Sequence, residues 1–497
     1  SHAEGQPEIT QAGDIGSSKQ TVEPGTVLLC KINPRISRTW VVGSHSRWPK
    51  IASTEWIPFF EVPGIQPRYL SFFMQQHTFR GFLAMHASGV GGSLMRVKPS
   101  TFEDYPFPLA PLPEQRRIVE AIEAQFSRLD AAVAALKRAQ ANLERYKASV
   151  LQAACEGRLV PTEDELARQE GRDYEHASVL LQRILAERRR KWEEAEWARL
   201  VEQAKKKVAQ ERRKAAGRPA RLSDLAEEEW REVPEAEYAG YLPKGDRWKA
   251  KYEEPVGPDT EGLPALPAGW VWTTLEHIGE LARGKSTHRP RNDPHLFGGP
   301  YPFIQTGEVR AAEGTITSYE TTYSEFGLGQ SRLWPRGTLC ITIAANIAET
   351  ALLGFDGCFP DSVVGFLAAD GVSVEFIEFF LRTAQRQLEN DAPATAQKNI
   401  NLNTLRQLAI PIAPLGEQLR IVDALERRLS ILADLAMSTN NSLMRTDRLR
   451  QSILKRAFEG RLVPQDPDDE PASVLLARIR DEAEAEVTPT QDRLPGV

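Results

Sequence analysis

No run of this chain approaches the roughly 18 apolar residues of a membrane-spanning helix, and no secretory signal opens it. Cysteine is scarce. Cys30, Cys155, Cys340 and Cys358 are scattered without metal-ligand spacing or an evident disulfide framework, which fits a reducing cytoplasm. A strong net charge is missing too. The 62 Lys and Arg against 68 Asp and Glu leave −6, which excludes a uniformly basic nucleic-acid binder but not local basic surfaces. The letters G-x-x-x-x-G-K-[ST] occur at Gly279–Ser286, but the Thr287-His-Arg-Pro290 run that follows does not open the helix a phosphate loop needs, and dinucleotide fingerprints of the G-x-G-x-x-G type are absent. Histidine and cysteine nowhere cluster at metal spacing. His288 and His295 share a Gly/Pro loop, read here as lacking a cysteine or acidic partner. Asp104, Asp293 and Asp361 lie near prolines without the carboxylate–x–lysine pattern of a metal-dependent nuclease. The chain therefore reads as non-catalytic, with no cofactor or metal of its own. It starts at Ser1 rather than methionine, so a processed chain or a fragment is expected, with a loop-like stretch to Gln20.

What the chain does contain is one segment written twice. Pro108 to Pro161 and Pro411 to Pro464 align without a gap at an offset of 303, and 23 of the 54 positions are identical. A duplication of that length sets the architecture. Each copy starts at a proline-bounded Pro111-Leu-Pro-Glu114 or Pro414-Leu-Gly-Glu417 and ends on Glu-Gly-Arg-Leu-Val-Pro. There Gly157 or Gly460 is a helix stop, and Pro161 or Pro464 bars resumption. The span between is about 43 residues, roughly 64 Å of helix.

In the first copy Val119, Ile122, Phe126, Leu129, Val133, Leu136, Gln140, Leu143, Lys147 and Val150 step by 3 and 4, a coiled-coil seam. The matching positions are Val422, Leu425, Leu429, Leu432, Ala436, Thr439, Leu443, Thr446, Arg450 and Ile453, apolar at both ends and weak in the middle. Two matched helices in one chain predict an antiparallel intramolecular coiled coil with a pseudo-two-fold axis.

A globular head precedes each helix. Short β-type runs mark the first (GTVLLCKI, TWVVG, ASTEWIPFFEV, GSLMRVKP) and the second (WVWTTL, YPFIQTGEV, GTLCITIA, DSVVGFLAA). Each head also has one helical stretch, Pro67–Gln76 and Ser373–Leu388. A Gly-Thr step opens comparable strands at Gly25-Thr26 and Gly337-Thr338, so the heads read as strongly diverged copies. The first reads as N-terminally shortened, with 24 residues before Gly25. The expected class is α+β, two mixed heads joined by the helix pair. Expected boundaries are a first head over 1–109, a repeat helix over 110–161, and a charged helical segment and linker over 162–268. A second head follows over 269–412, a second repeat helix over 413–464, and a C-terminal helix and tail over 465–497. Within the charged segment, Ser178–Arg213 reads as a one-sided or largely solvated helix and Pro219–Ala268 as an irregular linker.

Local charge singles out one loop in each head. Lys31 to Lys50 carries Lys31, Arg35, Arg38, Arg47 and Lys50 with no acidic residue; Asn33, Ser37, Thr39, Trp40, His45 and Trp48 are interleaved. In the second head Arg283-Gly-Lys-Ser-Thr-His-Arg-Pro-Arg-Asn292 is a basic loop shaped by Gly and Pro. Arginine and lysine suit phosphates and guanine edges, asparagine and glutamine adenine edges. Candidate DNA-contacting residues are thus Lys31, Asn33, Arg35, Arg38, Arg47 and Lys50 in the first head. In the second they are Lys285, Ser286, His288, Arg289, Arg291 and Gln305. The second head is net acidic overall, so such a face must be segregated from an acidic outer one.

Taken together, the two PL-x-EQ-x-RIV…EGRLVP helices, the diverged heads and the central Leu263–Leu275 phrase LPALPAGWVWTTL resemble the specificity (S) subunits of type I restriction–modification systems. The resemblance covers essentially the whole chain. Lys31-Ile-Asn-Pro-Arg35 and Pro302-Phe-Ile-Gln-Thr-Gly307 look like that family's target recognition domains. It implies a phage-defence complex in the cytoplasm, with each head reading one half of a split double-stranded DNA site. It further implies that the helices set the spacing and bind two methyltransferase subunits, through which restriction subunits join. S-adenosylmethionine, ATP and Mg would belong to those partners. The alternatives are an orphan specificity subunit, a coiled-coil adaptor that contacts only proteins, and a fused methyltransferase. The last needs an Asn-Pro-Pro-aromatic motif, which Asn33-Pro34-Arg35 is not.

Overall fold

In the computed structural model each repeat forms one unbroken helix, Leu112–Cys155 and Leu415–Phe458, 44 residues apiece. The described residues are 9–36, 38–44, 47–89, 95–219, 221, 225–312, 314–344, 347–391 and 400–487. Proline at 113 costs the first helix nothing, because N–H groups of a first turn have no intrahelical acceptor. Both helices stop in the same way. Gly157 and Gly460 take left-handed φ values of +66° and +68°. Arg158 N–H then donates to Ala153 O, and Arg461 N–H to Arg456 O, each at 2.8 Å.

The chain divides into two compact units, Ser1–Asn142 with Asp434–Val497, and Leu143–Ala433, so each long helix runs through both. The helices pack antiparallel. Gln140 Nε2 donates to Asn440 Oδ1 at 2.6 Å, and ten residues earlier in the first helix Asp130 pairs with Arg450, ten later in the second. Along the first seam Val119, Ile122, Phe126 and Val150 are buried, Leu129, Val133, Leu136, Gln140 and Leu143 are half-buried, and Lys147 is exposed. On the second, Leu425, Leu432 and Thr446 are buried, and Val422, Leu429, Ala436, Thr439, Leu443, Arg450 and Ile453 are half-buried. On the first seam full burial falls near the ends, where the heads pack, and the middle is half-buried; on the second, Leu432 and Thr446 stay buried away from the ends.

In the first unit Tyr69 and Phe72, on helix Pro67–Met74, pack against Ile118, Val119, Ile122 and Phe126 of one long helix and Leu454 and Ala457 of the other. The head's three-stranded sheet is antiparallel, ordered Thr39–Val41, Val27–Cys30, Trp56–Phe59. Its central strand, the run after Gly25-Thr26, is wholly buried. A second sheet pairs Lys19–Val22 with Lys50–Ser53, so the stretch expected to be loop-like to Gln20 ends in a strand. In the second unit Phe376 and Ile377, on helix Val374–Asp391, share a core with Val150, Ala154, Ile421, Ala424 and Leu425. Five strands form that head's main sheet, in the order Gly279–Arg283, Val363–Ala368, Leu339–Thr342, Thr350–Leu353, Thr315–Ile316. Only the last pairing is parallel. The Gly-Thr strand, Leu339–Thr342, is again central and buried.

Several local expectations are corrected. The run YPFIQTGEV is a strand only to Phe303; Thr306–Ala311 is helical, with Gln305 N–H donating to the Glu308 carboxylate at 3.1 Å. Helices Glu163–Glu170, capped by Thr162, and His77–Met85 were missed. The supposed irregular linker holds short helices Glu227–Arg231, Glu235–Tyr238 and Asp246–Lys251, anchored on helix Ala177–Ala215 by aromatic residues. Lys205, Lys206 and Lys207 lie over Tyr238, Trp230 and Tyr241 at 5.4, 4.7 and 4.9 Å from the ring centres. Trp248 stands 5.4 Å from Trp197. That basic run is thus committed to intramolecular cation–π contacts.

Candidate nucleic-acid interface

In the second head the basic loop begins at a close backbone crossing. A Cβ on Gly284 would lie 2.4 Å from the carbonyl oxygens of Phe359 and Pro360, so only glycine fits. Gly284 N–H donates to Val363 O at 2.8 Å and Lys285 N–H to Phe359 O at 3.1 Å. Gln330 braces the middle of the loop, its Oε1 accepting the N–H groups of Thr287 at 2.6 Å and His288 at 2.9 Å. Ser331 Oγ donates to Lys285 O at 2.7 Å. Arg289 folds back on the loop, its guanidinium donating to Ser286 O and His288 O at 2.9 and 2.8 Å.

Asp293 corrects the reading of the two histidines. His288 Nε2 lies 2.9 Å from its Oδ2 and His295 Nδ1 2.9 Å from its Oδ1, so one carboxylate serves both rings. The His295 N–H first, then the His295 and His288 imidazoles, lower the Asp293 carboxyl from 3.8 to about 2.

Beneath the loop is a cleft of about 380 Å³. Ser286, Arg291 and Gln305 line it together with Phe297, Phe303 and Tyr323. The rings of Phe303 and Tyr323 stack at 4.1 Å. Buried Ser286 sets its hydroxyl 3.4 Å from that of Tyr323. Arg291 Nη2 sits 3.0 Å from both Asp361 oxygens, with about half its side chain exposed. An exposed ion pair of this kind is worth little, so a phosphate or a guanine edge can displace Asp361 cheaply. Gln305 adds an exposed amide to the cleft. The structure thus gathers Ser286, Arg291 and Gln305, while His288 and Arg289 shape the loop and Lys285 stands exposed on it. Sequence reasoning weighed Asp361 only against a nuclease pattern and missed its pairing with Arg291, and it missed Tyr323 and Gln330. They lie tens of residues from the loop in sequence, and no local pattern points to them.

In the first head Lys31 is 3.7 Å from Glu55, whose carboxylate also holds Arg96 at 3.0 Å. Hydrogen bonding from Arg96, opposed by desolvation and helped by Lys31, keeps the Glu55 carboxyl below its ordinary value. Asn33 has a left-handed φ of +47°, and its N–H donates to Met95 O at 2.7 Å. Arg35 is exposed and accepts Arg80 on its carbonyl. Arg38 is half-buried, its carbonyl bonded by Cys30 N–H at 3.1 Å. Arg47 lies 4.9 Å from the centre of the Trp48 ring, which is 55% exposed. Lys50 opens the strand Lys50–Ser53. Ser37 and His45 lie outside the described residues.

The cleft falls within residues 267–443, which match the family model of the type I restriction modification DNA specificity domain. The second head carries that domain. The chain is 24% identical over 232 residues to the specificity subunit of the Escherichia coli type I restriction enzyme EcoDI, covering 45% of this chain and 51% of that one. With the E. coli EcoBI specificity subunit it shares 32% over 109 residues, 20% of this chain and 23% of the other. The chain spans about half the length of the curated relatives it matches. A solved chain, from work on complex assembly and conformational transition of the type I restriction–modification system, shares the fold. Its TM-score is 0.58 at 18% identity, over 90% of this chain and 85% of that one.

Proposed function

We propose that this chain reads a two-part double-stranded DNA sequence, one half per head, and carries two DNA-methylating subunits on its helix pair. Restriction subunits join through those methylating subunits. S-adenosylmethionine, ATP and Mg are needed by the partners, and this chain supplies recognition rather than catalysis. The observation that carries the reading is the cleft inside the specificity domain. It sets an exchangeable arginine and an exposed amide beside stacked aromatic rings, chemistry suited to phosphate contact and base-edge readout. Support for a docking face comes from the second long helix, where Leu419, Ile431, Met437 and Met444 are 54–59% exposed despite being large and apolar.

The test is selection of the purified full chain against a random double-stranded DNA library, with sequencing of the retained pool. Two short motifs separated by an unread spacer are expected. The double substitution Arg291→Ala with Gln305→Ala should erase one motif and leave the other. A pool with no motif, or one unaffected by the double substitution, would count against this face.

A further inference from the structure

Both long helices carry Glu-Gln in their first turn, and the glutamines make matching backbone contacts in the two units. Gln418 has no exposed surface; its Oε1 accepts the Ser373 N–H at 2.8 Å and its Nε2 donates to Ala413 O at 2.7 Å. Ser373 immediately precedes the helix Val374–Asp391 of the second head. Gln115, equally buried, accepts the Gln66 N–H on Oε1 at 2.9 Å and donates from Nε2 to Ala110 O at 2.9 Å and Gly64 O at 3.0 Å. Gln66 is the cap of the corresponding first-head helix, Pro67–Met74. A backbone N–H only donates and a carbonyl only accepts, so these partners fix which way each amide points.

Ala110 and Ala413 are matched positions of the repeat, but Gln66 and Ser373 belong to heads with little sequence in common. The clamp can bridge that difference because it grips only backbone. Any head residue other than proline offers an N–H there, and every residue a C=O, so head side chains are free to change while the seat stays the same. Apolar packing between head and helix is non-directional and tolerates sliding. A buried amide with fixed partners does not, since displacing it leaves polar groups unsatisfied.

We infer that Gln115 and Gln418 are positioning residues for DNA recognition: each locks its head to the first turn of its long helix and so sets the angle at which the head meets DNA. The inference rests on the two-part reading proposed above. Loosening a clamp should leave each head's motif intact and blur the distance between motifs.

The experiment repeats the random-library selection with full-length wild type, Gln418→Ala, Gln418→Glu and Gln115→Ala, alongside thermal melting and hydrogen exchange at the Ser373 amide. Wild type should return two motifs at one spacing. Gln418→Ala should return the same motifs over several neighbouring spacings, with preference for the original reduced roughly tenfold, on the scale of one buried hydrogen bond. Gln418→Glu keeps an acceptor for Ser373 but loses the donor to Ala413, so an intermediate spread is expected; it decides the matter if the alanine variant does not fold. General destabilisation would lower binding at every spacing equally and leave the spacing sharp. A sharp spacing with accelerated Ser373 exchange overturns the positioning role while the two-part reading stands. A wild-type pool lacking paired motifs overturns both.

Discussion

Arg291, Asp293 and Glu417 show how differently three charged side chains are used. Arg291 pairs with Asp361 at an exposed site, so Arg291→Ala should change melting by no more than about 0.5 kcal/mol. If Arg291 contacts a phosphate, the same change should reduce the slope of log affinity against log salt by about one, read by mobility shift across a salt series. Asp293 titrates below its ordinary value, from 3.8 to about 2, so its bonds to the histidine loop stabilise the fold above that range. Their contribution is lost as pH falls from 3.8 towards 2. Hydrogen exchange at Thr287 and His288 should therefore quicken over that acid window in wild type and show no such step in Asp293→Asn. Glu417 is buried, which pushes its carboxyl up, yet its oxygens accept from Trp270 Nε1 at 3.0 Å and Glu163 N–H at 2.9 Å. An amide has one acceptor for those two donors. Glu417→Gln should cost about 1–3 kcal/mol in denaturant unfolding, and an unchanged midpoint would rule out the network as a stabilising element.

The long helices are not uniform along their length. Ile122 is wholly buried beneath the first head, while Val133 lies in the half-buried middle of the seam. Ile122→Ala should cost about 2–5 kcal/mol, Val133→Ala no more than about 1, compared by urea unfolding. Equal costs would mean that the middle of the pair is as tightly covered as its end. The two stop glycines separate in the same manner. Alanine at either position meets left-handed strain of about 1–2 kcal/mol. At Gly157 its Cβ would also come within 2.6 Å of Pro267, against 3.4 Å to the Gln465 side chain at Gly460. Gly157→Ala should be the more destabilising, a ranking that thermal melting can check.

At the scale of the whole molecule, the proposed two-part reading makes the helix pair the ruler between the two motifs, and that can be tested. Gln140 faces Asn440, so four residues inserted after Ala139 and four after Asn440 would lengthen both helices together. Each gains about 6 Å and roughly one turn, so the heads keep their facing. Library selection should then return the same two motifs with the spacer longer by one or two base pairs, at ~3.4 Å each. Two-residue insertions should turn a head away and abolish paired selection. An unchanged spacer after the four-residue insertions would show that the helices do not set the distance.

Signals that repeat or act within a turn were legible in the residues alone. The duplication, the length of both helices, their glycine stops and the 3–4 spacing of the seam are of this kind, because helix period and capping depend on near neighbours. Strands that read as apolar runs, such as Leu339–Thr342, were legible for the same reason. The cleft was only half visible. Its basic loop could be read, but Tyr323 and Asp361 reach it through strand pairing and loop crossings distant in sequence. Asp293 stood between the two histidines in plain sight, and only the turn of the chain brought both rings onto it. The Lys205–Lys207 run looked like charge for solvent until the aromatic residues of the next segment closed over it. Local order comes from which residues are adjacent; which polar groups meet across distant stretches of chain is decided by the assembled core, where each buried donor must find an acceptor.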